Sequence, residues 1–526
     1  MKSYLSFSYL LVLLPLALLC YQIVPQRIRR YVLLLMNLCF IFYFSRKGSV
    51  FIVLSTLSIY GAGLWIEKLS QQQKQAAAGL ERSARKALKQ RYMKKQRRVL
   101  ALAVVFNIGI LLVLKYAGFF MTNVYAVLGK TDGIVPRFLQ PIGLSFYTMS
   151  AVSYVTDVYR GQIEADHDLV RLALFLSFFP TIMEGPICRY SDTAVSINEA
   201  HRIQYKDLTR GAQRIVWGLA KKLIVADRLN NLIKTVFLHY DRYDGTVMAL
   251  AAILYTVQLY MEFSGTIDAV IGTGEIFGVR IPENFRQPFF SVSISDFWAR
   301  WHITLGTWFR DYIYYPVSMS GPLKQLTMKS RKKLGNYYGP MLSGLIALFA
   351  VWLANGLWHG SAWSFIFFGM YHFVLLMVGR LCEPGIVRLL QWLHIDRDCK
   401  AYRAFRIVRT AVLVMIGELF FRAHGLRAGF AMFGRLCTSF QMRTLLDGTL
   451  LTLGMDIKDY VIIALFLLLV LWVGIQHEKG VSLRDQIAAR PVALRWTLYY
   501  ALLLAVVIFG AYGPGYVGID PIYAGF

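Results

Sequence analysis

Long apolar runs separated by short polar or basic stretches recur over the whole chain, at about residues 4–25, 31–45, 50–67, 99–119, 139–156, 168–188, 211–226, 246–272, 338–357, 361–381, 405–421, 458–475 and 494–511. Many are close to the roughly 20 residues that a helix needs to cross a hydrocarbon layer. In lipid each backbone N–H and C=O must be satisfied within its own segment, so these runs predict transmembrane helices. The pattern therefore predicts an all-α polytopic membrane protein. The first run, Tyr4 to Val24, lacks a small-residue cleavage site and leads straight into further apolar runs, so it is expected to be a retained helix.

The polar stretches refine this picture. Ser70 to Arg98 carries ten Lys or Arg against one Glu, which predicts a cytoplasmic location and, after three crossings, an external N-terminus with Gln26–Arg30 inside. Arg46 and Lys47 would then face out, against the trend. Within Ala76 to Arg98 the spacing of Leu80, Ala84, Ala87 and Leu88 fits a helix lying on anionic lipid, and fits a solvated loop equally well. PIGLSFYT (Pro141 to Thr148) and FFPTIMEGP (Phe178 to Pro186) interrupt apolar runs with Gly and Pro, as re-entrant backbone or as plain kinks. Ser264 to Pro288 carries Asp268, Glu275, Glu283 and Arg286 among glycines, and is expected to be too polar and flexible to span. Gly272-x-Gly274 lacks the preceding strand and the third glycine of a dinucleotide loop. Gly425 to Lys458 is amphipathic and is expected outside or at an interface.

Composition agrees with a membrane protein: of 526 residues 56% are hydrophobic and 17% charged, with a mean hydropathy of +0.48. The net charge of +27 would suggest nucleic acid in a soluble chain, but here the basic residues cluster between apolar runs, where orientation in the membrane accounts for them. The six cysteines show no paired spacing, which argues against a zinc site or a disulfide framework.

One stretch, Ser291 to His372, departs from the simple alternation. Its first part mixes Asp296, Arg300, His302, Arg310 and Asp311 with aromatic residues, too polar for a plain span and too aromatic for a surface loop, so a re-entrant or cavity-lining segment is expected. Arg310 and Asp311 read as a structural ion pair at the membrane edge. The middle, Pro322 to Gly335, carries Lys324, Lys329, Arg331, Lys332 and Lys333 and is expected on the cytoplasmic face. The last part holds His359 between Gly356, Trp358, Gly360 and Trp363.

Ionisable side chains in hydrocarbon are costly, and intramembrane histidines often mark chemistry or proton paths. His359 has glycines on both sides for close approach and tryptophans to exclude water or hold an acyl chain; a neutral imidazole there can take a proton from a hydroxyl attacking a carbonyl. A histidine merely hydrogen-bonded between packed helices is the alternative. His302 could orient His359, donate to a developing oxyanion or pack, and His372 is assigned a packing role. Trp298, Trp301, Asn355, Trp358 and Trp363 are the expected substrate-lining residues. No Gly-x-Ser-x-Gly elbow is present, Cys188 has no histidine near it in sequence, and no His/Glu pair has metal-ligand spacing in the polar segments.

DFWARWHITLGTWFRDYIYYP (Asp296 to Pro316) with NGLWHGSAWSFIFFGMYH (Asn355 to His372) resembles the membrane-bound O-acyltransferase family, in particular its bacterial alginate O-acetyltransferase branch and, more distantly, teichoic-acid D-alanyl-transfer proteins. Pro141–Gly161, Phe175–Tyr190, Arg210–Leu229, Met261–Pro288 and Gly417–His424 extend the likeness over about residues 100–430. Met261-Glu262 and Met183-Glu184 depart from the branch's usual residues before Phe-Ser-Gly and Gly-Pro. The resemblance implies that His359 matches the family's essential histidine and His302 its second polar position. It implies a ring of about 11 transmembrane helices plus re-entrant segments around a central funnel and tunnel. The expected divisions are 1–98 for N-terminal helices and basic loop, 99–430 for the catalytic core and 431–526 for C-terminal helices.

The sequence thus points to a bacterial cytoplasmic-membrane O-acyltransferase. It would move an acyl group, acetyl above all, from a cytoplasmic thioester to an extracytoplasmic polysaccharide hydroxyl or to a serine-type acetyltransferase partner, with no permanently bound cofactor. The thioester would be carried by acyl carrier protein phosphopantetheine or be acetyl-CoA, docking at Lys324, Lys329, Arg331, Lys332 and Lys333. A proton-coupled transporter and a non-catalytic scaffold are the alternatives. The first should show paired helix interruptions in two related halves, and the sequence has none.

Overall fold

The structure, a computed structural model, describes residues 4–130, 134–136, 138–513, 516 and 518–519. Among them the chain is helical, with a single antiparallel bridge between Phe285 and Trp301. The main helices are α1 (Leu14–Ile23), α2 (Gln26–Ser45), α3 (Ser49–Ala76), α4 (Arg82–Val127), α5 (Leu144–Arg160), α6 (Leu169–Ser177), α7 (Tyr190–Glu199), α8 (Tyr205–Ala220), α9 (Asp227–Leu238), α10 (Gly245–Ile276), α11 (Ile294–Arg300), α12 (Ile303–Phe309), α13 (Gly321–His359), α14 (Trp363–Trp392), α15 (Lys400–Arg422), α16 (Leu426–Thr438), α17 (Ile457–Glu478) and α18 (Val492–Phe509). Seven helical stretches among the described residues are long and apolar enough to cross a membrane, the first of them, Gln26–Ala76, containing both α2 and α3. This is a multi-pass membrane protein.

The described residues fall into two compact units, one within 4–212 and 270–282, the other within 213–269 and 283–519. The core of the first is built by α3, α4, α5 and α6, which bury Ile59, Ile66, Val99, Tyr154, Val155 and Leu172 in one cluster. Polar groups inside it are matched across helices. Asn107 of α4 donates to the Ser58 hydroxyl of α3 at 2.9 Å and to its own turn at Ala103 O, while Ser55 donates to its carbonyl oxygen. Asn37 of α2 accepts from the Phe179 N–H at 3.2 Å and donates to Ser177 Oγ at 3.4 Å, satisfying backbone where Phe178–Pro186 breaks the helix. Such pairing is what an interior without water demands.

The second unit holds its helices with charge as well as with apolar surface. Lys222, on the π-helical turn (Lys221–Ala226) that joins α8 to α9, donates to Asp227 and to Glu262 of α10, each at 3.2 Å, and all three are buried. Lys221 and Arg214 both reach Asp268 of α10, at 2.6 and 3.1 Å, and Arg214 continues to Glu283. Arg228 pairs with Asp459 of α17 and donates to Phe509 O at the end of α18, 2.6 Å away. The outer helices are apolar toward their surroundings: only 6% of the α18 span is buried, against 67% for α10. Leu465, Leu468 and Trp472 of α17 and Leu504, Val507 and Ile508 of α18 are exposed, as residues in contact with lipid tails should be.

Two expectations change. Ser264 to Pro288 is not flexible from its start, because α10 runs unbroken to Ile276. Its polar side chains turn inward, where Asp268 meets two cations, so charge along the helix does not meet lipid. The basic stretch 82–98 is neither a loop nor a separate surface helix but the exposed first part of the 46-residue α4. Between Arg82 and Arg98 it contains Ala, Leu, Lys, Arg and Gln and neither Gly nor Pro, a composition that propagates helix. Pro322 to Gly335 is likewise helical: α13 is two arms meeting at Gly335 (φ 76°), folded back so that Thr327 meets Ser343 at 2.6 Å and Ser330 donates to Gly339 O at 2.8 Å.

Removing one member of a buried charge cluster strands the others, at a cost of roughly 3–5 kcal/mol. Lys222→Met is therefore expected to lower the melting temperature of the detergent-purified protein sharply, and Lys222→Met with Glu262→Leu to recover part of the loss. A single variant that melts with the wild type would remove the cluster from the account of stability.

Candidate functional site

His302 owes its position to Asn284. Residues 284–286 run antiparallel to 300–303, with Arg286 N–H donating to Arg300 O at 2.9 Å and Ile303 N–H to Asn284 O at 3.0 Å. The Asn284 side chain completes the junction: its Oδ1 receives the Thr304 N–H at 3.1 Å, the Thr304 hydroxyl at 2.9 Å and His302 Nδ1 at 3.2 Å. A backbone N–H can only donate, so this atom is the carbonyl oxygen, and His302 Nδ1 must carry a proton to meet it. The neutral ring therefore keeps its lone pair on Nε2. His302 itself sits at φ 47°, a left-handed conformation unusual for a side chain with a Cβ, between the end of α11 and the start of α12. Its carbonyl accepts from Leu305 and Gly306 and so opens α12.

His359 arrives from another direction, as the last residue of α13. Gly356 makes this possible: a Cβ there would lie 2.6 Å from Phe365 O of α14, and one on Gly369 would lie 2.3 Å from Trp352 O. The two glycines let α13 and α14 touch backbone to backbone, which sets His359 against the first turns of α14. Trp358 stands edge-on to both histidines, with ring centroids 5.5 Å from His302 and 5.1 Å from His359. Phe263 of α10 closes the far side of His302 at 5.0 Å, and Phe368 and Phe421 flank His359 at 5.7 and 5.1 Å. Both rings are buried, at 2% and 5% exposure. The fold thus gathers two imidazoles around one indole within an aromatic shell, an arrangement able to receive and return a proton away from bulk water.

The other sequence candidates divide. Trp298 and Trp301 lie on the His302 side; Trp298 donates through Nε1 to His372 at 3.2 Å, and Trp301 stacks on Phe297 and meets Phe285 and Phe263. Asn355 is buried one turn before His359, while Trp363 is more than half exposed at the start of α14. Arg310 and Asp311 pair at 2.9 Å on the surface. Lys324, Lys329, Arg331, Lys332 and Lys333 are all exposed on the first arm of α13. They are not brought to the histidines: Thr327 and Ser330 of the first arm meet Ser343 and Gly339 of the second, which lie roughly 24 and 30 Å before His359 at about 1.5 Å per residue. Asn284, Phe263 and Phe421 escaped the sequence reading. Asn284 stood in a segment weighed only for its charges, and nothing in the sequence places it beside Thr304.

A profile described as MBOAT, membrane-bound O-acyltransferase family, matches residues 137–328. The chain is 33% identical over 469 residues to the probable alginate O-acetylase AlgI of Azotobacter vinelandii, covering 87% of this chain and 83% of that protein. The chain belongs to the membrane-bound O-acyltransferase family. Similarity also extends to the peptidoglycan O-acetyltransferase of Helicobacter pylori, 28% identical over 53% of this chain and 55% of the relative, and to the teichoic acid D-alanyltransferase of Bacillus subtilis, 31% identical over 45% and 58%. Acyl transfer to a hydroxyl calls for a proton acceptor shielded from water, and the buried His302–Trp358–His359 cluster is the candidate for that place.

Asn284→Leu removes the acceptor that holds His302, and acyl transfer by the purified O-acyltransferase is expected to fall by on the order of 100-fold, the size of loss that follows when a group orienting a reactant is displaced. Gly356→Ala is expected to part α13 from α14 and lower both melting temperature and activity, overpacking of this kind costing about 1–3 kcal/mol. Full activity in either variant would show that the geometry around Asn284 or Gly356 is not needed.

Proposed function

We propose that this protein moves an acetyl group from a cytoplasmic thioester to a hydroxyl outside the bacterial cytoplasmic membrane, on a polysaccharide or on a serine-type acetyltransferase that passes it on. The observation that carries the reading is the pair of buried imidazoles flanking Trp358, with His302 fixed by Asn284. The names of the relatives, an alginate O-acetylase and a peptidoglycan O-acetyltransferase among them, support acetyl as the group and an envelope polysaccharide as the acceptor.

His359 acts as the general base. It takes the proton of the attacking hydroxyl while oxygen adds to the thioester carbonyl; the tetrahedral intermediate then expels the thiolate, which regains the proton from the imidazolium. An O-ester and a free thiol result. In its neutral form His302 accepts at Nε2, so it orients a hydroxyl or a thiol, and it stabilises an oxyanion only once protonated. Trp298, Trp301, Asn355, Trp358 and Trp363 line the path of the reactants. The donor is acyl carrier protein phosphopantetheine or acetyl-CoA, and the exposed Lys324, Lys329, Arg331, Lys332 and Lys333 attract its acidic surface or phosphates.

His359→Ala in the full-length protein is expected to abolish base-labile acetate on the cell's surface and secreted glycans, read by mass spectrometry. Unchanged acetylation would sink the enzymatic role of His359 and leave a scaffold. Reversing Lys329, Arg331, Lys332 and Lys333 to Glu is expected to raise the donor KM by roughly tenfold or more at low salt, with kcat little changed and the difference shrinking as salt rises.

A further inference from the structure

His372 is fully buried on α14 and lies one ring away from His359, because Phe368 is edge-on to both, at 4.7 and 5.7 Å. The Trp298 indole N–H, which can only donate, points at His372 Nδ1 from 3.2 Å. In the neutral ring Nδ1 is therefore the acceptor and Nε2 carries the proton. The ring is clamped: it stacks on Trp352 at 5.4 Å and meets Tyr371 edge-on at 5.3 Å. Its Nε2 faces α15 at Gly417, where a Cβ would come within 2.9 Å, and it has no hydrogen-bond partner among the described residues.

A phenylalanine would fill this space and stack on Trp352 without burying a donor that has no acceptor. What the imidazole adds is the lone pair that receives Trp298. That bond joins two separate pieces of the site. Trp298 is on α11, the short helix that ends one residue before Trp301 and His302, while His372 is on α14, the helix that packs backbone to backbone against the end of α13 carrying His359.

We propose that His372 is a positioning residue: by accepting the Trp298 indole it holds the His302 segment in register with the His359 helix pair, and so sets the separation of the two imidazoles. This rests on the acyl-transfer reading. His372 takes no proton in the reaction, since the ring is spoken for on Nδ1 by a permanent donor and is separated from His359 by Phe368.

The test uses full-length protein in cells, with incorporation of labelled acetate into base-labile glycan esters as the readout, alongside membrane abundance and melting temperature in detergent. His372→Phe keeps the ring and loses the acceptor; it is expected to lower the rate at least tenfold with abundance and melting unchanged. His372→Asn places an oxygen near the Nδ1 position and is expected to restore the rate to within threefold of wild type. Trp298→Phe combined with His372→Phe is expected to be no worse than the weaker single variant, because both break the same bond. Wild-type rates in His372→Phe, loss that merely follows abundance or melting, failure of Asn to rescue, or additive losses in the double variant would each overturn the proposal. His359→Ala serves as the separating control. If it abolishes incorporation while the His372 series fails, the positioning role alone falls; if it leaves incorporation intact, the acyl-transfer reading falls and takes this inference with it.

Discussion

One carboxamide oxygen, that of Asn284, decides the form of the site. Three donors converge on it, one from His302 and two from Thr304, all on the strained turn that starts α12. An interior without water offers such donors no substitute acceptor, so the turn is stable only while Asn284 is in place. The same bond fixes which nitrogen of His302 presents its lone pair. Local strain, helix start and tautomer are thus consequences of a single interaction.

Close backbone packing performs the matching task for His359. Gly356 and Gly369 bring α13 and α14 into contact at a distance no side chain would permit, and the aromatic residues of α14 and α15 then fill the space around the imidazole. Small residues at helix contacts suit a membrane, where apolar surface gains little by leaving lipid and attraction comes from close approach and hydrogen bonds. Charge is used in the same spirit. Lys222 is shared by Asp227 and Glu262 inside the second unit, and Asp268 is met by Lys221 and Arg214, so α10 can pass through the interior with acidic residues along its length.

Much was legible along the chain. Apolar runs of the right length specify the helical class, and their Trp-rich settings single out His302 and His359. Other features were misread for identifiable reasons. Asp268 and Glu275 made 264–288 look unsuited to a helix through the interior, because a linear reading cannot see Lys221 and Arg214 approaching from α8 and the turn after it. Basic residues at 82–98 fitted a loop as well as a surface helix, although their helix-forming composition carries them into α4. Trp298 and His372 meet across 74 positions of sequence, a hydrogen bond that no local pattern announces.

Composition and periodicity by themselves determined that this chain is helical and that it crosses a membrane several times, because the cost of polar groups in hydrocarbon acts on each segment separately. The fold alone decided that two histidines from distant segments flank one tryptophan, that Asn284 sets the proton on His302, and that Gly417 leaves room for His372. Those are facts about neighbours. A side chain's hydrogen-bond partner and the space beside a glycine depend on which helices meet, and that depends on the whole packing.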